Sequence, residues 1–382
     1  MSVWVVILST LLAISLAVVR DLPVVNGTVL ASGAGERLSV RFLWPLVLLG
    51  GLSLPFFLPS DPLLVAATAL YKPASGEFLA VGLATAIAAL VAGNLGRFMA
   101  VPYAFIASLA GLSLVGTGHV NLSATLSYLL SWLVAPVLCA LLAAGIYRIY
   151  TISLRNNQRA SLVPSFLLLA SFSVNYSLLF SFFPQTASLP VAARVAISLG
   201  SAVLIYLTMR REVVQDTWNI ADYELDVNSQ SMSSLILSMT LTLALFSSPL
   251  PGIAGLAASP LPVGVLFVSA LVGISVSRGR ALTDTNVITG TLVSAVLSPV
   301  SAFTLAYCLG KVIDGTAVGL SLALLLTALA AGVVVFFRKR SERDLQRQIL
   351  WARERQAFSA RKSLSALEVK TEMTEKDLLN KL

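Results

Sequence analysis

The sequence predicts an all-α polytopic membrane protein of about eleven transmembrane helices (10–12), with an inverted-topology internal repeat and broken or re-entrant helices. Three observations predict it. The composition cannot be buried in a water-soluble globule, apolar runs of bilayer length recur along the chain, and three sequence blocks appear in the same order in both halves.

Of the 382 residues, 57% are hydrophobic and 12% charged, against roughly 45–50% apolar and about 25% charged in an ordinary soluble domain. With a mean hydropathy of +0.87, this excludes a cytosolic enzyme, a secreted disulfide scaffold and a nucleic-acid module. Lipid must act as solvent for most of the chain. Cys139 and Cys308 lie inside apolar runs, where a thiol acts as a small hydrophobe, so neither a disulfide framework nor a metal site is expected. The single histidine, His119, stands in the loop sequence GTGHVN with no second ligand or acid–base partner nearby in sequence. No G-x-S-x-G, H-E-x-x-H or Walker A pattern occurs, so no catalytic residues are assigned and neither an enzyme nor a primary pump is expected.

A bilayer core requires about 20 apolar residues per helix. Runs of that kind stand at 2–19, 41–58, 77–93, 98–117, 122–147, 161–183, 189–209, 232–250, 261–277, 285–309 and 316–337. The first lacks a basic leading region and ends in Arg20-Asp21 rather than a small-residue cleavage site, so it reads as a retained helix. Arg20, Arg37 and Arg41 follow the first run, Arg97 the third, and Arg148, Arg155 and Arg159 the fifth. Arg210 and Arg211 follow the seventh, Arg278 and Arg280 the ninth, and Arg338, Lys339 and Arg340 the eleventh. An odd number of spans with the N-terminus outside places all these clusters, and the C-terminus, on the cytoplasmic side of a cell membrane.

The chain divides into a first membrane half (1–209), a polar cytoplasmic connector (210–231), a second membrane half (232–337) and a charged cytoplasmic tail (338–382). The tail holds twelve basic and seven acidic residues and so carries five of the eight net positive charges. The positive balance therefore reports orientation, with no nucleic-acid partner implied. Leu345, Ile349, Ala352 and Phe358 give the tail one apolar helical face, suited to packing on the protein or on a neighbour.

The repeat begins with LAVVRDLPVVNG (16–27) and LALFSSPLPGIAG (243–255), each containing Leu-Pro, three residues and Gly. It continues with VPYAFIASLAGLSLVG (101–116) and LPVGVLFVSALVGISV (261–276), then SWLVAPVLCALLA (131–143) and SAVLSPVSAFTLA (294–306). By the orientation above, the two copies of each block cross in opposite directions, which makes an inverted repeat of the kind on which alternating-access transporters are built. Pro23, Pro251, Pro102 and Pro262 are the expected helix breaks. Pro136 and Pro299, in the middle of long spans, are expected only to kink them.

A proline and glycine that interrupt a helix free backbone N–H groups, tolerated in lipid only where they line a cavity or find a partner. Converging helix ends at Gly27, Gly252 and Gly255 would form an oxyanion site through oriented amides, with Asn26 and Thr28 adding polar groups. Asp21 beside the first break, with Ser32, would hold a cation or take a proton. As a competing reading, Asp21 is an interfacial carboxylate paired with Arg20. The Ser231, Ser234, Ser238 and Thr242 hydroxyls share one face of the eighth run and suit close helix packing or, as the competing reading, a substrate path, and the same two readings apply to Ser171 and Asn175 in the sixth.

The segment RDLPVVNGTVLASGAGERLS resembles the signature of the inorganic phosphate transporter (PiT) family, GANDVANAFGTSVGSRALT, with Asp21 on the motif's Asp and Gly27-Thr28 on its Gly-Thr. Ser131, Trp132 and Pro136 match the family's S-W-x-x-S-P helix. Pro102 and Pro262 match its P-V-S-T-T-H segments without the S-T-T-H. Where the family has a second Asn-Asp, this chain has Ser247-Ser248-Pro249. The resemblance implies a secondary transporter that moves inorganic phosphate by symport with sodium or a proton, in a lipid membrane, with no other cofactor and no bound metal. Its open alternatives are another oxyanion such as sulfate, a homodimeric assembly, and a non-transporting membrane partner or sensor.

Overall fold

In the computed structural model, the described residues are 21–29, 70–71, 77–95, 98, 100–116, 119–153, 162–181, parts of 190–203, 229–247, 259–279 and 285–313. All belong to the first of two compact units, Met1–Ala328 and Leu329–Leu382. The expected spans 2–19, 41–58 and 316–337, residues 210–228 of the connector and the whole tail lie outside the described residues.

The described elements are helices, with no strand among the described residues. They are α1 (21–29), α2 (Glu77–Leu95), α3 (Val101–Gly116), α4 (Leu122–Ser153), α5 (Leu162–Ser181), α6 (Ser229–Ser247), α7 (Val263–Ser277) and α8 (Thr285–Ile313). Seven of them, α2 to α8, fall on expected apolar runs. α6 starts at Ser229, so the last residues of the expected connector are already helical. Two segments, Leu122–Ile152 and Val287–Val312, are long and apolar enough to cross a membrane.

Local chemistry fixes several helix ends. Asn121 caps α4: its Oδ1 accepts the Ala124 N–H at 3.2 Å and the Ser123 hydroxyl at 2.9 Å. α7 ends in Arg278, whose N–H reaches back to the Ile274 carbonyl, followed by Gly279 at φ 70°, the left-handed position that glycine adopts without strain. Pro136 and Pro299 stand inside α4 and α8, which continue through them.

Burial sorts the helices into two layers. α3 is buried from Val101 to Ser113 and α7 along most of its length. α4 and α8 instead turn apolar side chains outward, among them Leu133, Val137, Leu141, Val296 and Val300. Large apolar residues on an outer surface are costly in water and stable in lipid.

The two buried helices are held in the same manner by the two long ones. α3 lies along α8, where a Cβ at Gly111 would collide with the Phe303 carbonyl, and α7 lies along α4, where a Cβ at Gly273 would collide with the Ala140 carbonyl. Ala140 and Phe303 each stand four residues beyond the matched prolines Pro136 and Pro299. Glycine at such points lets two backbones touch, and dispersion across the seam then holds them. Both pairs run parallel. Trp132, Cys139 and Ala144 meet Ser259, Leu266 and Ser277 in turn, while Phe303 and Gly310 meet Gly111 and Val115. α2 runs antiparallel to α3, with Thr85 against Ser108 at 3.1 Å and Ala88 clustered with Ala104, Ala107 and Ala302.

α6 closes the side of α4 and α5. Its hydroxyls bond within their own helix: Ser234 donates to the Gln230 carbonyl, Ser238 to Leu235 and Thr242 to Ser238. Buried and satisfied in this way, the Ser/Thr face is a packing surface.

Candidate functional site

The site forms where α1, α5 and the start of α7 converge. α7 follows Ser259-Pro260-Leu261-Pro262, and Pro262, at the N-cap position in extended conformation, supplies no side-chain cap. The first N–H groups of a helix have no partner within it, and a proline at the cap contributes none.

Asp21 supplies what is missing. Its carboxylate accepts the Val263 N–H at 3.1 Å and also meets the N–H of Gly264. The Tyr176 hydroxyl donates to the same Oδ2 atom. Asp21 is 2% exposed and Tyr176 0%. Burial of a carboxylate is costly unless hydrogen bonds replace its water. Here it rests on the positive end of the α7 dipole and on a phenol, an arrangement favourable to negative charge.

The residue beside Tyr176 holds the segment that leads into α7. The Asn175 amide donates to the Leu261 carbonyl at 2.8 Å, and its oxygen accepts the Leu261 N–H at 2.8 Å. Trp132 donates from Nε1 to the Ser259 hydroxyl at 3.2 Å and stacks on Tyr103, centroids 4.4 Å apart. Phe246 accepts the Ser259 N–H at 3.1 Å. The entry to α7 is thus fixed from α4, α5 and α6 together, and Asp21 is fixed by α5 and α7.

The expected site residues are distributed unevenly about this junction. Asp21 is at its centre. Asn26, Gly27 and Thr28 are buried in α1, so the described part of the segment expected to form a ligand loop is helical. Thr28 donates to the Val24 carbonyl of its own helix at 2.6 Å. Pro23 is helical within α1, Pro102 is the second residue of α3, and Pro262 caps α7. The last two therefore stand at helix starts and interrupt no helix interior. Ser32, Pro251, Gly252 and Gly255 lie outside the described residues, as does Arg20. Asp21 is bonded to Tyr176 and Val263, in a buried place and not at an exposed surface.

Comparison of the chain with family models, characterised proteins and solved structures finds no match. The site must be read from its own chemistry.

Tyr176, Ser259 and the Leu261–Val263 backbone were not among the sequence-predicted residues. One signal was available: Asn175-Tyr176 is a polar pair inside an apolar run, and polar side chains within a membrane segment are expensive unless paired. Among the described residues no group of three His, Cys, Asp or Glu side chains gathers to hold a metal.

Proposed function

We propose that the chain is a multi-pass membrane protein built as an inverted repeat, and that it is a secondary transporter carrying an oxyanion such as inorganic phosphate with a coupled cation. The observation that carries this reading is the buried meeting of Asp21 with the α7 N-terminus, in a bundle that also holds two helix pairs of like construction. α3 on α8 and α7 on α4 are the matched blocks, each short helix lying on the long helix of the other half. That reciprocal pairing is what an inverted repeat with an axis in the membrane plane would produce.

Depth supports the same reading. Trp132, which holds Ser259, is ten residues and so about 15 Å along α4 from Leu122. If α4 crosses from Leu122, the junction lies near the middle of a hydrocarbon core about 30 Å thick, and Asp21 lies there with it, deeper than the cytoplasmic end of a first full span where the expected orientation puts it. Secondary transporters place their sites at that depth.

The groups around Asp21 favour a proton over sodium as the coupled ion. The carboxylate faces donors, namely the Tyr176 hydroxyl and the N–H groups of Val263 and Gly264. Sodium would need oxygen ligands turned toward it. A proton needs only the carboxylate. Protonated, Asp21 gives up its negative charge and leaves the same donors for an arriving oxyanion, so proton and anion would enter together. Withdrawal of both would let the carboxylate return to its cap, and the segment 259–262 would be the element that moves.

Uptake of labelled phosphate or sulfate into proteoliposomes tests this. An inward proton gradient should drive uptake, a sodium gradient at equal pH should not, and Asp21→Asn should abolish the proton dependence. Absence of uptake of either anion above empty vesicles under both gradients would sink the transport reading. Sodium-driven uptake that survives Asp21→Asn would sink the coupling assignment alone.

A further inference from the structure

The described helices pack mainly as two groups, α2 with α3 and α8, and α4 with α5, α6 and α7, with α7 and α8 in contact between them. Asp21 is bonded into the second group through Tyr176 and Val263. Side chains at the seam between the groups meet the start of α7. Phe98, just ahead of α3, lies against Gly264, where a Cβ would collide with its side chain, and meets Phe267 edge to face with centroids 6.0 Å apart. Trp132 crosses the seam from the other side. It stands on α4 and packs on the cluster of Ala88, Ala104, Ala107 and Ala302, all of which belong to the first group.

The two ends of the Trp132 side chain hold different partners. Its ring stacks on Tyr103 of α3, centroids 4.4 Å apart and planes 25° from parallel. The Tyr103 hydroxyl is 3.5 Å from the Trp132 carbonyl, the long limit of a hydrogen bond, so the rings carry this contact. The indole Nε1–H donates to the Ser259 hydroxyl at 3.2 Å. Ser259 begins the segment that ends at Val263, whose N–H is held by Asp21 at 3.1 Å. Pro260 and Pro262 stiffen this segment, since each ring fixes one backbone torsion, with Pro262 at φ −73°. Leu261 stands midway and is clamped from α5 by both bonds of Asn175. A displacement at Ser259 is therefore not absorbed before it reaches Val263. It swings the segment about Leu261 and changes the fit of the α7 N-terminus to Asp21.

We propose that Trp132 is a positioning residue that couples the first helix group to the Asp21 site, with Tyr103 on one side and Ser259 on the other. A shift of α3 against α4 moves the indole, the indole moves Ser259, and the stiff segment carries the movement to Val263. That this coupling serves transport rests on the function proposed above, where rocking of one group against the other would loosen and restore the cap of the carboxylate. The coupling itself rests on the contacts alone.

Hydrogen exchange of the full-length protein in detergent, read by mass spectrometry in peptides covering 259–264 and 268–277, tests it without a substrate. The N–H groups of Ser259, Leu261 and Val263 are each bonded to another element, so their exchange reports how often the segment opens. Tyr103→Leu, a change in the other helix group, should speed exchange at 259–264 about fivefold and leave 268–277 unchanged, whereas Tyr103→Phe, which keeps the ring, should match the parent. Trp132→Phe keeps an aromatic ring on Tyr103 but removes the Nε1 donor, and should speed exchange at 259–264 by about the same factor. Adding Tyr103→Leu to Trp132→Phe should then change it by less than about twofold, because the relay is already cut. Should Tyr103→Leu not fold, Tyr103→Met takes its place, since methionine adapts to the space of the lost ring. Exchange at 259–264 that is unchanged in Tyr103→Leu or Tyr103→Met, or effects that multiply in full in the double variant, would overturn the coupling. So would an increase shared equally by 268–277, which marks a general loosening. Absence of uptake by the parent protein removes the transport reading and leaves these outcomes as they stand.

Discussion

Asp21 closes the N-terminus of α7 across 242 residues of chain, its carboxylate accepting the Val263 N–H at 3.1 Å. A proline-capped helix buried without such an acceptor would leave its first N–H groups unpaired. The carboxylate is therefore both the proposed seat of a proton and a structural part, and substitution has to separate the two roles.

Asp21→Ala removes the acceptor for Tyr176 and Val263 and should lower stability by about 3 kcal/mol, since each buried donor left unsatisfied costs about 1–3 kcal/mol. Asp21→Asn keeps an oxygen in place and should cost about half as much. Thermal unfolding in a single detergent, followed by circular dichroism, measures both. An alanine variant as stable as the parent would mean that the cap contributes nothing.

Asn175 has two bonds to one backbone position, and its replacement by leucine, similar in size, should cost about 2–4 kcal/mol because the Leu261 N–H and carbonyl both lose their partner. Asn175→Asp should cost a comparable amount, as it keeps the acceptor but sets a carboxylate against the Leu261 carbonyl. Should Asn175→Leu unfold at the parental temperature, the amide would not be what holds the segment 259–262.

Much of the helix framework was legible because each helix is written locally. The run expected at 122–147 is α4, and the run at 285–309 is α8, since apolar stretches of that length with polar ends have few other outcomes. Asp21 was legible for a different reason: with 12% charged residues, a carboxylate beside a Leu-Pro-x-x-x-Gly block stands alone. Its partners were not legible. Tyr176 lies 155 residues away, and the Val263 donor is backbone, which carries no residue-type signal. The helix starts at Pro102 and Pro262 also differ from the expected breaks. A proline is as compatible with the first turn as with a kink, and only the neighbouring helices decide between them.

Glycine positions give a paired comparison. Gly111→Ala and Gly273→Ala both drive a methyl into a backbone carbonyl, of Phe303 and Ala140, which cannot swing away as a side chain can. Each should destabilise by about 3 kcal/mol, the upper part of the overpacking range. Gly145→Ala, in open space on α4, should be neutral or stabilising by roughly 0.5–1 kcal/mol through helix propensity. Similar losses at Gly111 and Gly273 would support the likeness of the two helix pairs. A loss at one and not at the other would count against it, and the unfolding midpoints of the three variants decide.

On α8 removal of a polar group should stabilise the protein. The Ser294 and Ser298 hydroxyls are buried and find no hydrogen-bond partner among the described residues, whereas Thr291 on the same helix donates to the Val287 carbonyl at 2.6 Å. A buried hydroxyl without a partner carries its desolvation cost with nothing to offset it, about 1–3 kcal/mol. Its removal leaves a void of a single oxygen atom. Ser298→Ala should therefore raise stability by about 1 kcal/mol, and Ser294→Ala by a similar amount. The two residues stand one turn apart, so the double variant should fall slightly short of the sum of the two. Thr291→Val, which removes a satisfied hydroxyl while keeping its shape, should instead cost about 1 kcal/mol. A loss of more than about 1 kcal/mol in Ser298→Ala would sink the argument, since the hydroxyl must then be making a bond whose loss outweighs the cost of burying it.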